Sequence, residues 1–364
     1  MGATEHWRTG RCLVNIVAMN ITHEIFGHTK EAQPVDIFTL TSPAGLTLKI
    51  CSYGATITEL HTPDRKGDTA DVTLGFAQLG PYLGEHPFLG CVVGRVANRI
   101  ANARFRLQKK DYQLHATNSG HSLHGGKVGL SRRVWKSQQI KVNGVPAVEF
   151  SYHSPDMEEG YPGTVDFKAI YFMPDNHAIR LVMEARTDYP TPINLTNHAY
   201  FNLHGAGNGD ILDHELTIHA DHYTPVDSSL IPTGEILGVH GTPLDFTRPT
   251  LIGSRIAQVP GGYDHNFVLR STDDPLHPAA RVTDVTSGRA MELWTTQPGV
   301  QLYTGNFLNG SVTGIGGAYQ KHGALCLETQ HFPNSVHHSH FPSIILHPGQ
   351  HYHHIAEYRF PKPV

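Results

Sequence analysis

Strict alternation of apolar and polar positions recurs along the whole chain. Leu46, Leu48 and Ile50 share one face of a candidate strand, with Thr47 and Lys49 on the other. Val165, Phe167, Ala169 and Tyr171 alternate with Asp166, Lys168 and Ile170. Ile179, Leu181, Met183 and Ala185 alternate with Arg180, Val182, Glu184 and Arg186. Val148, Phe150 and Tyr152 form a further set, as do Met291 with Leu293 and Val300 with Leu302. Successive side chains of a strand point to opposite faces, so a period of two predicts half-buried strands.

Turn signals separate these runs: Asn143-Gly144, Pro174-Asp175-Asn176, Asn208-Gly209, Gly261-Gly262 and Asn309-Gly310. Helical spacing is scarce. Leu251, Ile252, Ile256 and Val259 predict one short helix over Leu251–Val259. No short repeat and no low-complexity tract is visible. The expectation is an all-β fold, a large antiparallel β-sandwich with few short helices. Residues 19–364 read as one catalytic domain, and residues 1–18 as an extension, with Met19 an alternative start. Within that extension Arg8 and Arg11 precede Leu13, Val14, Ile16 and Val17. Asn15 interrupts this apolar run and no small-residue cleavage site follows, which argues against a signal peptide.

Composition narrows the function. Charged residues make up only 16% of the chain beside 36 Gly and 24 Pro, which disfavours helical bundles and suits strands joined by tight turns. A net charge of -4 gives no basic footprint for nucleic acid or an anionic membrane. No segment reaches the roughly 18 apolar residues of a membrane span. Cys12, Cys51, Cys91 and Cys326 are scattered without a CxxC pair, and read as reduced thiols of a cytoplasmic protein. A small neutral substrate fits this balance better than a polyanion. No obligate partner is implied, so a monomer or weak dimer is expected.

The 27 histidines raise the question of a metal. His337, His338 and His340 crowd together, as do His351, His353 and His354, but no HExxH or Cys/His pairing accompanies them. No metal is expected. Other segments carry more chemistry. Asn197–Gly205 sets His198 among aromatic and polar residues, and Leu325–Gln330 puts Glu328 into an apolar run, where a lone carboxylate is costly. His121–Gly126 sets His124 beside glycines that allow close backbone approach. Gly94–Ile100 and Gly262–Phe267 add Arg95, Asn98, Arg99 and Asp264 in turn-like settings. Each has a plainer reading. His198 could bond a backbone carbonyl, Glu328 could pair with Arg99, Arg95 and Arg99 could be surface charges, and Asp264 could cap a turn. Pattern and composition alone reach a β-rich protein, carbohydrate-active or carbohydrate-binding.

Taken together, these segments resemble the aldose 1-epimerase family. The matching stretches are GRVANRIANARF from Gly94, HSLHGG from His121, GYPG from Gly160 and NHAYFNLHG from Asn197. GGYDHNFVL follows from Gly261, TTQPGVQLYTGNFL from Thr295, LETQHFPNSVHH from Leu327 and FPSIILHPGQHYHH from Phe341. They run in the family's order from about Pro34 onward. The resemblance implies a large β-sandwich with a sugar cleft across one sheet. It also implies interconversion of the α and β anomers of free hexoses such as glucose and galactose, without a cofactor. On the family's pattern, His198 is the general acid and Glu328 the general base, while Arg99, His124, Asp264 and Gln301 contact the sugar, with Asn98 a further contact.

The chemistry suits these residue types. A base removes the proton of the C1 hydroxyl while an acid protonates the ring oxygen, and both must lie within hydrogen-bond reach of the substrate. A histidine supported by a carboxylate or carbonyl can hold the acid's proton near neutrality, and an ordinary glutamate is ionised there. Three rivals are weighed. A hexose-6-phosphate 1-epimerase would need extra cationic residues. A glycoside hydrolase built on Asp264 and Glu328 leaves His198 without a role. A non-catalytic sugar-binding protein of the same fold would lack His198 or Glu328, and both are present.

Overall fold

Asn143 and Gly144 both have positive φ, 51° and 86°, and form the two-residue loop that pairs Val142 with Val145. That turn matches the twist of the strands it joins and sets the register of one edge of the largest sheet. The computed structural model describes residues 19–363; the proposed extension and Cys12 lie outside the described residues.

Three antiparallel sheets make up the frame. The first is a five-stranded meander in chain order: Asn20–His28, Pro34–Thr41, Thr47–Cys51, Thr56–Pro63 and Thr69–Asp71. The second has nine strands. Lys136–Val142, Val145–Ser154, Val165–Asp175 and Ala178–Thr187 run in order, Tyr352–Arg359 comes next, and Ala290–Thr295, His277–Thr283, Glu215–Ile218 and Thr250–Leu251 complete it. The third runs Leu237–Gly238, Ala220–Thr224, Asp264–Leu269, Gly299–Tyr303 and Cys326–Gln330. One apolar core joins them, with Leu48 and Ile57 from the first sheet, Phe167, Leu181 and Tyr358 from the second, and Val300 and Leu327 from the third.

The alternation predicts these faces well. Val165, Phe167, Ala169 and Tyr171 are buried while Asp166 and Lys168 are exposed. Val182 departs from the pattern: it is buried on the opposite face, against Ala147 and Phe172. The helix expected over Leu251–Val259 shrinks to Gly253–Ile256, because Thr250–Leu251 is recruited as an edge strand against Glu215–Leu216. The only other α-helix among the described residues is Leu79–Tyr82.

Candidate active site

The third sheet supplies one wall of the site. Asn266, Gln301 and Glu328 lie directly opposite one another on adjacent strands, so their side chains share a face. Phe267, Val300 and Leu327, one residue along, face the core instead. The apolar run before Glu328 is therefore itself alternating: Leu325 and Leu327 are core residues, while Cys326 and Glu328 point the other way. Glu328 is 2% exposed, and its Oε2 has no hydrogen-bond partner, as is also true of Oδ1 of Asn266.

The opposite wall comes from irregular segments. Arg99–Ile100 pairs with Ser122–Leu123, which sets Arg99 and His124 side by side. A Cβ on Gly125 would lie 1.8 Å from the carbonyl oxygen of Gly94, so only glycine permits this approach. Thr196–Asn197 pairs with Val92–Val93, and the N–H of His198 donates to the carbonyl of Cys91. The His198 ring stacks on Tyr200 at 5.1 Å and on Phe88 at 6.0 Å, and meets His124 edge-on at 5.0 Å.

His198 Nε2 lies 3.7 Å from Oε1 of Glu328. Both groups are shut away from water, and burial moves them in opposite directions. The Glu328 carboxyl is pushed well up by desolvation and by Asp264, against the pull of Arg99, while desolvation lowers His198 to about 4. Burial thus disfavours the ionised form of each group, the carboxylate of Glu328 and the imidazolium of His198 alike. His124 is also held neutral, chiefly by desolvation, then by His198 and Arg99.

Arg99 is buried, and its Nε donates to Oδ1 of Asn118 at 3.2 Å. Arg95 is buried as well, but away from the cleft. Its guanidinium donates to Ser154 and to the carbonyls of Pro155, Tyr161, Pro162 and Gly163, so neither arginine is a surface charge. Asp264 begins its strand rather than capping a turn, and Oδ1 accepts from Nε2 of Gln301 at 2.7 Å.

A cleft of about 160 Å³ gathers Asn98, Arg99, His124, His198, Asp264 and Glu328. Gln301, expected to contact sugar, is not among the residues lining it; on the same sheet face as Glu328, it is bonded to Asp264. Phe88, Asn118, Tyr200, Tyr303 and Phe307 also line the cleft, beyond the residues to which the family's pattern assigns a role. Tyr303 was open to discovery, since it lies two residues after Gln301 on the same strand face; Phe88, in an irregular loop at a φ of 59°, carries no periodic signal. Larger depressions of about 740 and 720 Å³ lie over the nine-stranded sheet, and neither gathers this set of buried polar groups. Ligand atoms of His124, His198 and Glu328 fall within 4.8 Å of one another, close enough for a cation, but the Arg99 charge acting on Glu328 opposes one there. In the His-rich tail, His337 bonds Asn334, His340 bonds the carbonyl of Gly234, and His354 bonds Thr329.

Residues 36–359 match the family model described as aldose 1-epimerase. The chain belongs to the aldose 1-epimerase family. It is 46% identical to the galactose mutarotase of Sus scrofa, covering 94% of this chain and 99% of that one. It is 34% identical to the aldose 1-epimerase of Escherichia coli (strain K12), over 91% and 96% of the two chains. Among solved structures of the family, the galactose 1-epimerase from Lactobacillus acidophilus NCFM superposes with a TM-score of 0.82 at 26% identity, covering 96% of this chain and all of that one. An aldose epimerase homologue from C. elegans gives 0.80 at 29% identity, over 88% and 97%.

Proposed function

We propose that this enzyme is an aldose 1-epimerase acting on free aldohexoses such as galactose and glucose, with Glu328 as general base and His198 as general acid. The observation that carries the reading is the buried His198–Glu328 pair at 3.7 Å, with an unpartnered carboxylate oxygen beside it. When sugar fills the cleft, its hydroxyls and Arg99 stabilise the Glu328 carboxylate, and the shared proton passes to Nε2 of His198. Glu328 then takes the C1 hydroxyl proton as His198 delivers its own to the ring oxygen, and the C1–O5 bond breaks. The pair ends as neutral acid and neutral imidazole, the state that burial favours. Rotation about C1–C2 and reversal of both transfers close the ring on the other face. Atoms balance, and no redox partner is needed.

Among the described residues lining the cleft, Arg99 is the only Lys or Arg. One guanidinium suits a pair of sugar hydroxyls, whereas a sugar phosphate calls for more positive charge, which favours a free sugar. The buried free thiols of Cys51, Cys91 and Cys326 support a reducing, cytoplasmic setting. No helix among the described residues is long and apolar enough to cross a membrane.

Polarimetry tests the reading. Freshly dissolved α-D-galactose or α-D-glucose should reach rotational equilibrium much faster with enzyme than in buffer. Glu328→Gln and His198→Asn should bring the rate close to that of buffer. No acceleration with either sugar would overturn the proposal.

A further inference from the structure

The two ring nitrogens of His198 meet different partners. Nε2 faces Glu328, while Nδ1 lies 3.5 Å from Sγ of Cys326. A histidine that passes a proton through one nitrogen needs the other held in a constant state, a role usually filled by a carboxylate or a backbone carbonyl. Here the side chain at that position is a thiol. Cys326 is fully buried and lies two residues before Glu328 on the same strand, so both point at the same ring from one sheet face. Stacking on Tyr200 and Phe88 keeps the ring plane fixed between them.

We propose that Cys326 is a positioning residue for the epimerase reaction: its sulfur accepts the Nδ1 hydrogen of His198, leaving Nε2 to carry the proton to and from the sugar. This rests on the aldose 1-epimerase reading. Sulfur is a weak acceptor, so it fixes the tautomer without stabilising the imidazolium as a carboxylate would. The proton on Nε2 therefore stays easy to release. Burial, with Glu328 and Asp264 nearby, keeps Cys326 a neutral thiol that adds no charge of its own.

Several other groups face the ring or act on it. They are His124 and His86 from neighbouring loops, Tyr200 on its own segment, Tyr303 from the adjacent strand, and Asp264 and Arg99 through Glu328. None of these side chains bonds Nδ1; the backbone carbonyl of His198 itself also acts on the ring, and it is unchanged in the residue-326 variants, so a difference between them reads out on the thiol.

Nitrogen-15 NMR of the histidine rings in wild-type protein measures the tautomer directly, with the His198 signals assigned as those missing from His198→Asn. Nδ1 protonated and Nε2 unprotonated at neutral pH is the expected result. In parallel, pH–rate profiles by polarimetry compare wild type with Cys326→Ser and Cys326→Ala. Serine, a stronger acceptor, should move the limb reporting His198 upward by about one pH unit and lower kcat by roughly threefold to tenfold. Alanine should move that limb down, with KM near the wild-type value. An unprotonated Nδ1 in the wild-type spectrum, or a limb unmoved in both variants, would overturn the proposal. Absence of mutarotation in wild type would instead remove the functional reading, and the ring spectrum would still decide the tautomer.

Discussion

The backbone N–H of Asn98 donates to Nδ1 of His124 at 3.2 Å, while the N–H of His124 donates back to the Asn98 carbonyl at 2.9 Å. With Nδ1 occupied as an acceptor, the ring proton of His124 sits on Nε2, toward the cleft. His124 is thus a fixed neutral donor. Its tautomer is the reverse of the one proposed for His198, and so is its predicted role.

His124→Gln, which keeps an N–H near the Nε2 position, should retain more activity than His124→Leu. The leucine variant should lose on the order of tenfold or more in kcat/KM, the worth of one hydrogen bond made inside a dry site. Neither change should remove a limb from the pH–rate profile. A lost limb in either variant would show that His124 titrates during turnover.

Glu328→Gln should abolish most activity, by about 10²–10⁴-fold, and yet stabilise the protein. The Glu328 carboxyl is raised above its ordinary 4.5 by burial. Between 4.5 and the folded value, the native chain holds a proton that the unfolded chain releases, so stability falls as pH rises through that window. Thermal unfolding at pH 8 should show a higher Tm for the glutamine variant, with the gap closing as pH falls toward 4.5. Equal Tm values at pH 8 would show that Glu328 costs the fold nothing.

Acid should unfold this protein through its histidines. His86, His198, His214, His265 and His331 are lowered to about 4, and His354 to about 3, in every case chiefly by desolvation. Below the ordinary 6.5 the unfolded chain binds protons that the native chain refuses, so stability is lost as pH falls from 6.5 through about 4. Each such group adds a slope of about 1.4 kcal/mol per pH unit. Denaturant titrations at pH 7 and pH 5 should show a drop larger than any single group could give.

Arg95→Ala should destabilise by about 3 kcal/mol or more, because it strands the carbonyls of Pro155 and Gly163 together with Ser154 in a buried setting. Arg95→Lys should recover only part of this, since one ammonium cannot reach a fan of acceptors spread from Ser154 to Gly163. Chemical denaturation of the three proteins separates these outcomes.

Much of the frame was legible because strand period and turn chemistry act locally. Asn143-Gly144 announces its hairpin, and the alternation through Val165–Tyr171 announces its buried face. The helix over Leu251–Val259 was overestimated because helical spacing cannot sense that Leu251 would be claimed by a neighbouring strand. Within the site, motif resemblance located six cleft residues, but not the hydrogen bond that ties Gln301 to Asp264. Nor could it reveal that burial works against both charged forms of the His198–Glu328 pair, which depends on how completely distant segments exclude water. Cys326 reads in the sequence only as one of four scattered reduced thiols, because nothing local places it beside the His198 ring.

The strand Tyr352–Arg359 lies between Ala178–Thr187 and Ala290–Thr295, in the middle of the nine-stranded sheet, although it comes after all its neighbours in the chain. On the ribosome, the two halves of that sheet must therefore wait, each with an open edge, until this late segment emerges and slots between them. Synthesis order makes residues 352–359 the closing piece of the sheet, and a chain cut short just before them would be left with two unzipped halves and exposed edges inviting aggregation.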